Sequence, residues 1–194
     1  MNVLLLRHAE SEWNRIGRWQ GTEDPPLSDA GRLDVARIAL LLRGFDEIWA
    51  SPLSRAYETA SVIATALGIS APHVDDRLVE VHFADWQGLS VEEIDAGWPG
   101  LRVSGRRPPG AESDFDVSER ATSALAAIAR RGGATDGRVL VVTHGGLIRT
   151  VCRQLSHPVA ALPNLGGVWL EGGDGEWRVS DTWQPDLASA GESL

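Results

Sequence analysis

Cysteine is nearly missing from this chain. A single residue, Cys152, can close no intramolecular disulfide, which excludes a disulfide-stapled secreted scaffold and suits a reducing cytoplasm. It lies in an apolar helical stretch and reads as a buried structural thiol rather than a nucleophile. Positive charge is also scarce. Eighteen basic residues stand against 27 acidic ones, giving a net charge of −9 and a pI near 5.0. That balance disfavours nonspecific binding to nucleic acid or to an anionic membrane surface. Long hydrophobic runs are absent: no stretch approaches the ~20 apolar residues of a membrane span. The N-terminus carries no basic lead-in followed by a long apolar run, so no secretory signal is expected. The five histidines, His8, His73, His82, His144 and His157, show neither HxH nor HExxH spacing, so no metal site is read from them. If such a protein binds an anion, it must gather its few cations locally.

What is present fits one domain spanning residues 1–194, with a loosely ordered tail from about 184; hydrophobic residues make up 43% and charged residues 23%. Three segments share one grammar. "VLLLRH" (3–8) is an apolar run ending in Arg7 and His8. "EIWASPLSR" (47–55) is a short β-prone run, broken at Ser51-Pro52, that leads into a helix carrying Arg55. "VLVVTHGG" (139–146) is an apolar run ending in His144 and two glycines. Continuous apolar strands indicate burial on both faces, as in parallel sheets covered by helices. Helical patterns lie between them, over 28–43 with Ser28 as N-cap, 53–67 before a Gly68 C-cap, 117–131 ending at Gly132-Gly133, and 147–155. "SVEE" (90–93) has capping-box spacing for a short helix, and 168–183 reads as two strands around a glycine-rich turn. The pattern predicts a three-layer α/β/α sandwich around a mostly parallel central sheet.

In open α/β sheets, ligands gather at the carboxyl ends of the strands. Arg7, His8, Arg55 and His144 all fall at or just past such ends. Gly145-Gly146 permits close backbone approach at a helix N-terminus, where anions bind. A phosphoryl group is the guest these positions suggest.

The ordered blocks "RHAESEWN" (7–14), "GRWQGTEDPPLSDAG" (17–31), "SPLSRAYETA" (51–60), "DRLVEVHFADWQG" (76–88), "PPGAES" (108–113) and "VVTHGGLIR" (141–149) resemble the histidine phosphatase superfamily, the phosphoglycerate-mutase-like group. The resemblance implies that His8 is the nucleophile, attacking as a neutral imidazole whose other ring nitrogen donates to a backbone acceptor. It implies that Arg7, Arg55 and His144 clamp the phosphoryl group. Glu80 would be the general acid/base. Asn14, Gln20, Gly21 and Gly145 are implied substrate or phosphate contacts. No cofactor and no metal is implied, because the cationic side chains take the part that magnesium plays elsewhere.

Ala9, Ala84, Gln87 and Ala111 depart from the family pattern, and Ala9 is expected to crowd the turn after His8. Trp13, Trp86 and Trp49 are expected to pack around the site, and Trp169, Trp177 and Trp183 to join the core. Arg106 and Arg107, in the irregular 101–116 stretch, read either as a lid that meets acidic substrates or as a solvated basic loop. His73, His82 and His157 read as structural or surface residues. The compact central region favours a phosphatase acting on a small phosphorylated metabolite, with homo-oligomerisation left open. A mutase that returns the phosphoryl group to a sugar-acid phosphate is the alternative. A binding-only module is the third reading, and the presence of His8, Glu80 and His144 weighs against it.

Overall fold

The computed structural model describes residues 1–131, 137–173 and 175–186. Its six-stranded sheet contains β1 (Asn2–Arg7), β2 (Glu47–Ala50), β3 (His73–Val74), β4 (Arg138–Thr143), β5 (Gly167–Gly173) and β6 (Glu176–Trp183), in the order β3-β2-β4-β1-β5-β6. The β3–β2, β2–β4 and β4–β1 pairings are parallel; β5 and β6 are added antiparallel. The helices are α1 (Glu12–Arg15), α2 (Asp29–Ile38), α3 (Ser54–Leu67), α4 (Val91–Gly97), α5 (Asp114–Arg131) and α6 (Gly145–Gln154). Among the described residues, no helix is long and apolar enough to cross a membrane.

Strand alternation divides β1 between two cores. Val3 and Leu5 pack with Val139, Val141 and the inner faces of α5 and α6; Leu4 and Leu6 pack with Leu140, Val142 and the inner faces of α2 and α3. All four β1 residues are fully buried, so truncating one of these leucines to alanine costs about 2–5 kcal/mol. Helices therefore cover both faces, giving the three-layer sandwich that the apolar runs predict.

Local caps follow the sequence closely. Ser28 accepts from the Gly31 amide at the start of α2, Ser90 and Glu93 form a capping box on α4, and Gly68 ends α3 with φ +66°. Other boundaries move. The helix expected to reach residue 43 tightens into a 3-10 turn at Ala39–Leu41, which buries Leu42 and leaves Leu40 and Leu41 half-exposed. α5 begins at Asp114 rather than 117, because the Ser113 hydroxyl accepts from the Asp116 amide. α6 begins at Gly145, so both glycines of "HGG" lie inside its first turn. The expected helix end at Gly132-Gly133 and the tail beyond residue 186 lie outside the described residues.

Candidate active site

Register brings the two histidines together. Arg7 pairs with Thr143 at the carboxyl ends of the parallel strands β1 and β4, so the next residues, His8 and His144, emerge side by side. Their ring centroids are 5.2 Å apart with the planes inclined at 61°. The His8 amide donates to Thr143 O at 2.9 Å. The exit of β1 is also held from the 162–166 segment: Asn164 Nδ2 donates to His8 O at 3.0 Å and Leu165 N to Arg7 O at 3.1 Å.

His8 is buried, and its Nδ1 lies 2.6 Å from Ala9 O. Since a carbonyl only accepts, Nδ1 carries the proton. Nε2 then keeps its lone pair, and the Nε–H of Arg55 donates to it at 3.3 Å. Burial first, then the Arg55 and Arg7 charges, hold the His8 pKa well below its ordinary value, so the ring is neutral.

Arg55, in the first turn of α3 just beyond β2, is fully buried and splayed by its own partners. Its Nη1 donates to Glu23 O at 2.7 Å and its Nη2 to Gly21 O at 2.8 Å. Burial lowers its pKa to about 10, which still leaves it cationic near neutrality. Arg7 directs Nη1 to Leu162 O at 2.5 Å.

His144 is fully buried and lies behind His8 rather than on the cleft wall. Its Nε2 is 2.8 Å from Ser51 Oγ, and its buried Nδ1 has no hydrogen-bond partner among the described residues. Burial and the Arg55 charge keep it, too, well below the ordinary histidine pKa. A charged imidazole in the clamp therefore needs an incoming anion to stabilise it.

Glu80 follows the 3-10 turn Asp76–Leu78, and its carboxylate caps α6 from outside the helix. Oε2 accepts from Gly146 N at 3.0 Å, while Oε1 accepts from Leu147 N at 3.1 Å and Val81 N at 2.8 Å. Two amides of the helix N-terminus expected to meet an external anion are thus taken by this side chain. Gly146 makes the contact feasible, since a Cβ there would lie 2.4 Å from Glu80 Oε1. The backbone carrying Glu80 is fixed by Arg120, which donates to the carbonyls of Arg77, Val79 and Glu80 and pairs with Glu112 at 2.6 Å.

Arg7, His8, Asn14, Gln20, Gly21, Arg55, Glu80 and Gly145 line one cleft of about 250 Å³. Asn14 accepts from Asn164 Nδ2 at 3.1 Å, and Gln20 from Ser11 Oγ at 2.8 Å. A shallower hollow of about 690 Å³ lies at the opposite end of β1, around Met1 and Trp177, where Arg178 already pairs with Glu171. His8, Arg7 and Arg55 line the smaller cleft, and His144 lies behind it.

Several contributors escaped the sequence reading. Trp19 and Phe83 form the aromatic wall, in edge-on contact at 4.8 Å, with Trp86 buried behind Trp19 at 5.1 Å. Trp49, expected near the site, instead packs on His73 at 5.0 Å. Trp13 does not line the cleft; its ring lies beside Gly88, 3.5 Å from where a Cβ there would stand. Ser51, read as a strand breaker, holds His144. Arg107, read as a lid cation, is committed to Glu112 O, Asp114 and the Phe83 ring, and neither it nor Arg106 lines the cleft. Ala9 does not strain its turn: it is buried without positive φ, and its amide donates to Thr59 Oγ1. Of the four departures from the family pattern, the one with positive φ is Ala84, at +47°.

Comparison with known proteins agrees with this geometry. Residues 3–182 match the family model described as histidine phosphatase superfamily (branch 1). A glucosyl-3-phosphoglycerate phosphatase of Mycobacterium tuberculosis is 37% identical, over 94% of this chain and 86% of that protein. The structure of a mycobacterial glucosyl-3-phosphoglycerate phosphatase with VO3 superposes with a TM-score of 0.84 at 33% identity, covering 94% of this chain and 98% of that one. A phosphoserine phosphatase of Entamoeba histolytica in complex with phosphoserine gives a TM-score of 0.80 at 26% identity, over 96% and 98% of the two chains. With the matched model spanning nearly the whole length, this chain belongs to the histidine phosphatase superfamily and is a phosphatase of the phosphoric monoester hydrolase class.

Proposed function

We propose that the chain hydrolyses small phosphorylated metabolites through a phosphohistidine on His8 Nε2, without a metal. The observation that carries this reading is the tautomer: with Nδ1–H fixed on Ala9 O, the nucleophilic lone pair sits on Nε2, beside Arg55. Arg7 and Arg55 hold the phosphoryl oxygens, and the unpartnered Nδ1 of His144 is available to a third. Nε2 attacks phosphorus, an N–P bond forms, and the P–O bond to the leaving group breaks. Glu80 delivers a proton to the departing alkoxide. Because Oε1 already accepts two amides, that proton resides on Oε2. Glu80, now a carboxylate, takes a proton from water as the water oxygen attacks phosphorus. The N–P bond then breaks, releasing phosphate and restoring Nε2.

The relatives' names point to phosphorylated hydroxy and amino acids as first substrates to try. The decisive experiment is labelling with a 32P-phosphoester in EDTA, stopped with detergent at alkaline pH. Wild type should yield an acid-labile, alkali-stable phosphoenzyme, absent from His8→Ala, which should also lose turnover. Turnover surviving in His8→Ala would refute the mechanism, and efficient isomerisation of 3-phosphoglycerate with a bisphosphate primer would establish the mutase alternative.

A further inference from the structure

Two arginines that line the cleft, Arg18 and Arg149, have no part in the phosphoryl mechanism. Arg149 lies on α6, one turn beyond Gly145, and lines the cleft. Its neighbours among the arginines are all committed. Arg55 bonds two carbonyls, Arg7 bonds Leu162 O, and Arg18 bonds Gly88 O and faces Glu93. One turn further along α6, Arg153 pairs with Asp114 at 3.0 Å. Arg149, half-buried, has no hydrogen-bond acceptor and no carboxylate partner among the described residues.

Its position is unfavourable without an anion. The Cβ that Gly145 lacks would stand 3.2 Å from Arg149 Nη1 and 3.4 and 3.6 Å from Cδ and Nε of Arg7. Both side chains therefore close over the same glycine, and the two guanidinium groups lie no farther apart than the sum of those distances. Like charges so placed repel, and burial removes the water that would screen them. Charge counting sharpens the point. A dianionic phosphoryl group is balanced by Arg7 and Arg55 while both histidines remain neutral and Glu80 holds the proton it gives to the leaving group. Arg149 is left as a surplus positive charge beside the bound group, in a protein whose net charge of −9 would otherwise repel acidic molecules.

We propose that Arg149 receives a second anionic group on the leaving part of the substrate. The substrate class is then a phosphomonoester whose carbon skeleton also bears a carboxylate or a second phosphate close to the ester. Such a group pairs with the guanidinium in a bidentate, charge-assisted geometry. The Trp19 and Phe83 wall accommodates the carbon skeleton between the two anions. This inference rests on the phosphatase reading above.

The test is a ratio of kcat/KM values. Three esters are compared: 3-phosphoglycerate, glycerol 3-phosphate, which replaces its carboxylate with a neutral carbinol, and glycerol 1,3-bisphosphate. Wild type should favour at least one of the two skeletons that bear a second anionic group over glycerol 3-phosphate by roughly tenfold or more, mainly through KM, as expected for one charge-assisted pair. Preference for phosphoglycerate identifies the carboxylate as the recognised group; preference for the bisphosphate identifies the phosphate. Arg149→Met should shrink the favoured ratio to about threefold or less, and Arg149→Lys should restore part of it. Because the readout is a ratio, a general loss through misfolding cancels. A wild type without preference, or an Arg149→Met variant that loses the same factor on all three esters, overturns the proposal. In either case, turnover by wild type and its absence in His8→Ala would leave the phosphatase mechanism standing. No turnover of any ester by wild type would refute both.

Discussion

Replacing Gly146 with alanine sets a methyl group directly against the carboxylate that we assign as acid. The new Cβ would lie 2.4 Å from Glu80 Oε1 and 3.0 Å from both Glu80 Cδ and Val81 Cγ2. The side chain cannot slide along the helix end, because Val81 N also anchors Oε1 at 2.8 Å. It must swing away and give up the bonds from Gly146 and Leu147. Each is a hydrogen bond to a carboxyl group, worth about 1.5–3 kcal/mol if charged. The better helix propensity of alanine returns about 1 kcal/mol, so the folded state should lose roughly 2–5 kcal/mol net and still be populated. Catalysis should suffer more, since misplacing a general acid typically forfeits about 10²–10⁴ in rate. The assay compares glycerol 3-phosphate, whose alkoxide needs a proton, with p-nitrophenyl phosphate, whose phenolate does not. We expect kcat/KM, which reports phosphoenzyme formation, to fall about 100-fold or more on the first and no more than about tenfold on the second, while kcat falls on both because Glu80 also activates the hydrolytic water. Glu80→Gln/Gly146→Ala should be no slower than Glu80→Gln alone, because both changes remove the same function. A folded Gly146→Ala enzyme that keeps its alkyl-phosphate kcat within about threefold would refute the assignment, since that rate exceeds what a displaced acid allows.

Two further predictions concern stability. Ala84 holds φ at +47°, a conformation glycine adopts without the Cβ penalty, so Ala84→Gly should stabilise by about 1 kcal/mol. That corresponds to a rise of about 2–4 °C in Tm, measurable by calorimetry; a lower Tm would contradict the strain argument. His8 and His144 are both held well below the ordinary histidine pKa of 6.5. The native state therefore binds fewer protons than the unfolded chain once pH drops through 6.5. Their contribution is complete above that value and is lost on acidification. For the pair, the unfolding free energy from urea titrations should be lower by at most about 2.7 kcal/mol at pH 5.5 than at pH 7.5. A pH-independent value across that interval would show that the rings are not kept neutral by the fold.

The residues that the sequence revealed are those whose position depends on local pattern. Arg7, His8 and His144 terminate apolar runs, Arg55 follows a strand break, and parallel register then brings all four to one edge of the sheet. Caps at Ser28, Ser90 and Gly68 were equally legible, because each is decided within a few residues. The remainder depends on distant chain. Arg120 reaches Glu80 across 40 residues of sequence, and Asn164 reaches His8 across 156; neither lies in a pattern that marks its partner. The tryptophans show the same limit. All eight are visible as composition, but packing alone decided that Trp19 faces the cleft while Trp49 serves the His73 side of the sheet. The helix end at Gly145-Gly146 was visible as an anion site, but not that an internal carboxylate fills it.

The place of β1 between β4 and β5 has a consequence for how the molecule is made. β1 is synthesised before both of the neighbours that hydrogen-bond its edges, which begin at Arg138 and end at Gly173. During translation the greasy "VLLL" segment must wait, unpaired, until the strands through Gly173 have emerged, and the nascent chain stays open to aggregation or chaperone capture until then. Arg7 and His8 consequently meet His144 only after β4 has docked against β1, well after β1 itself is made.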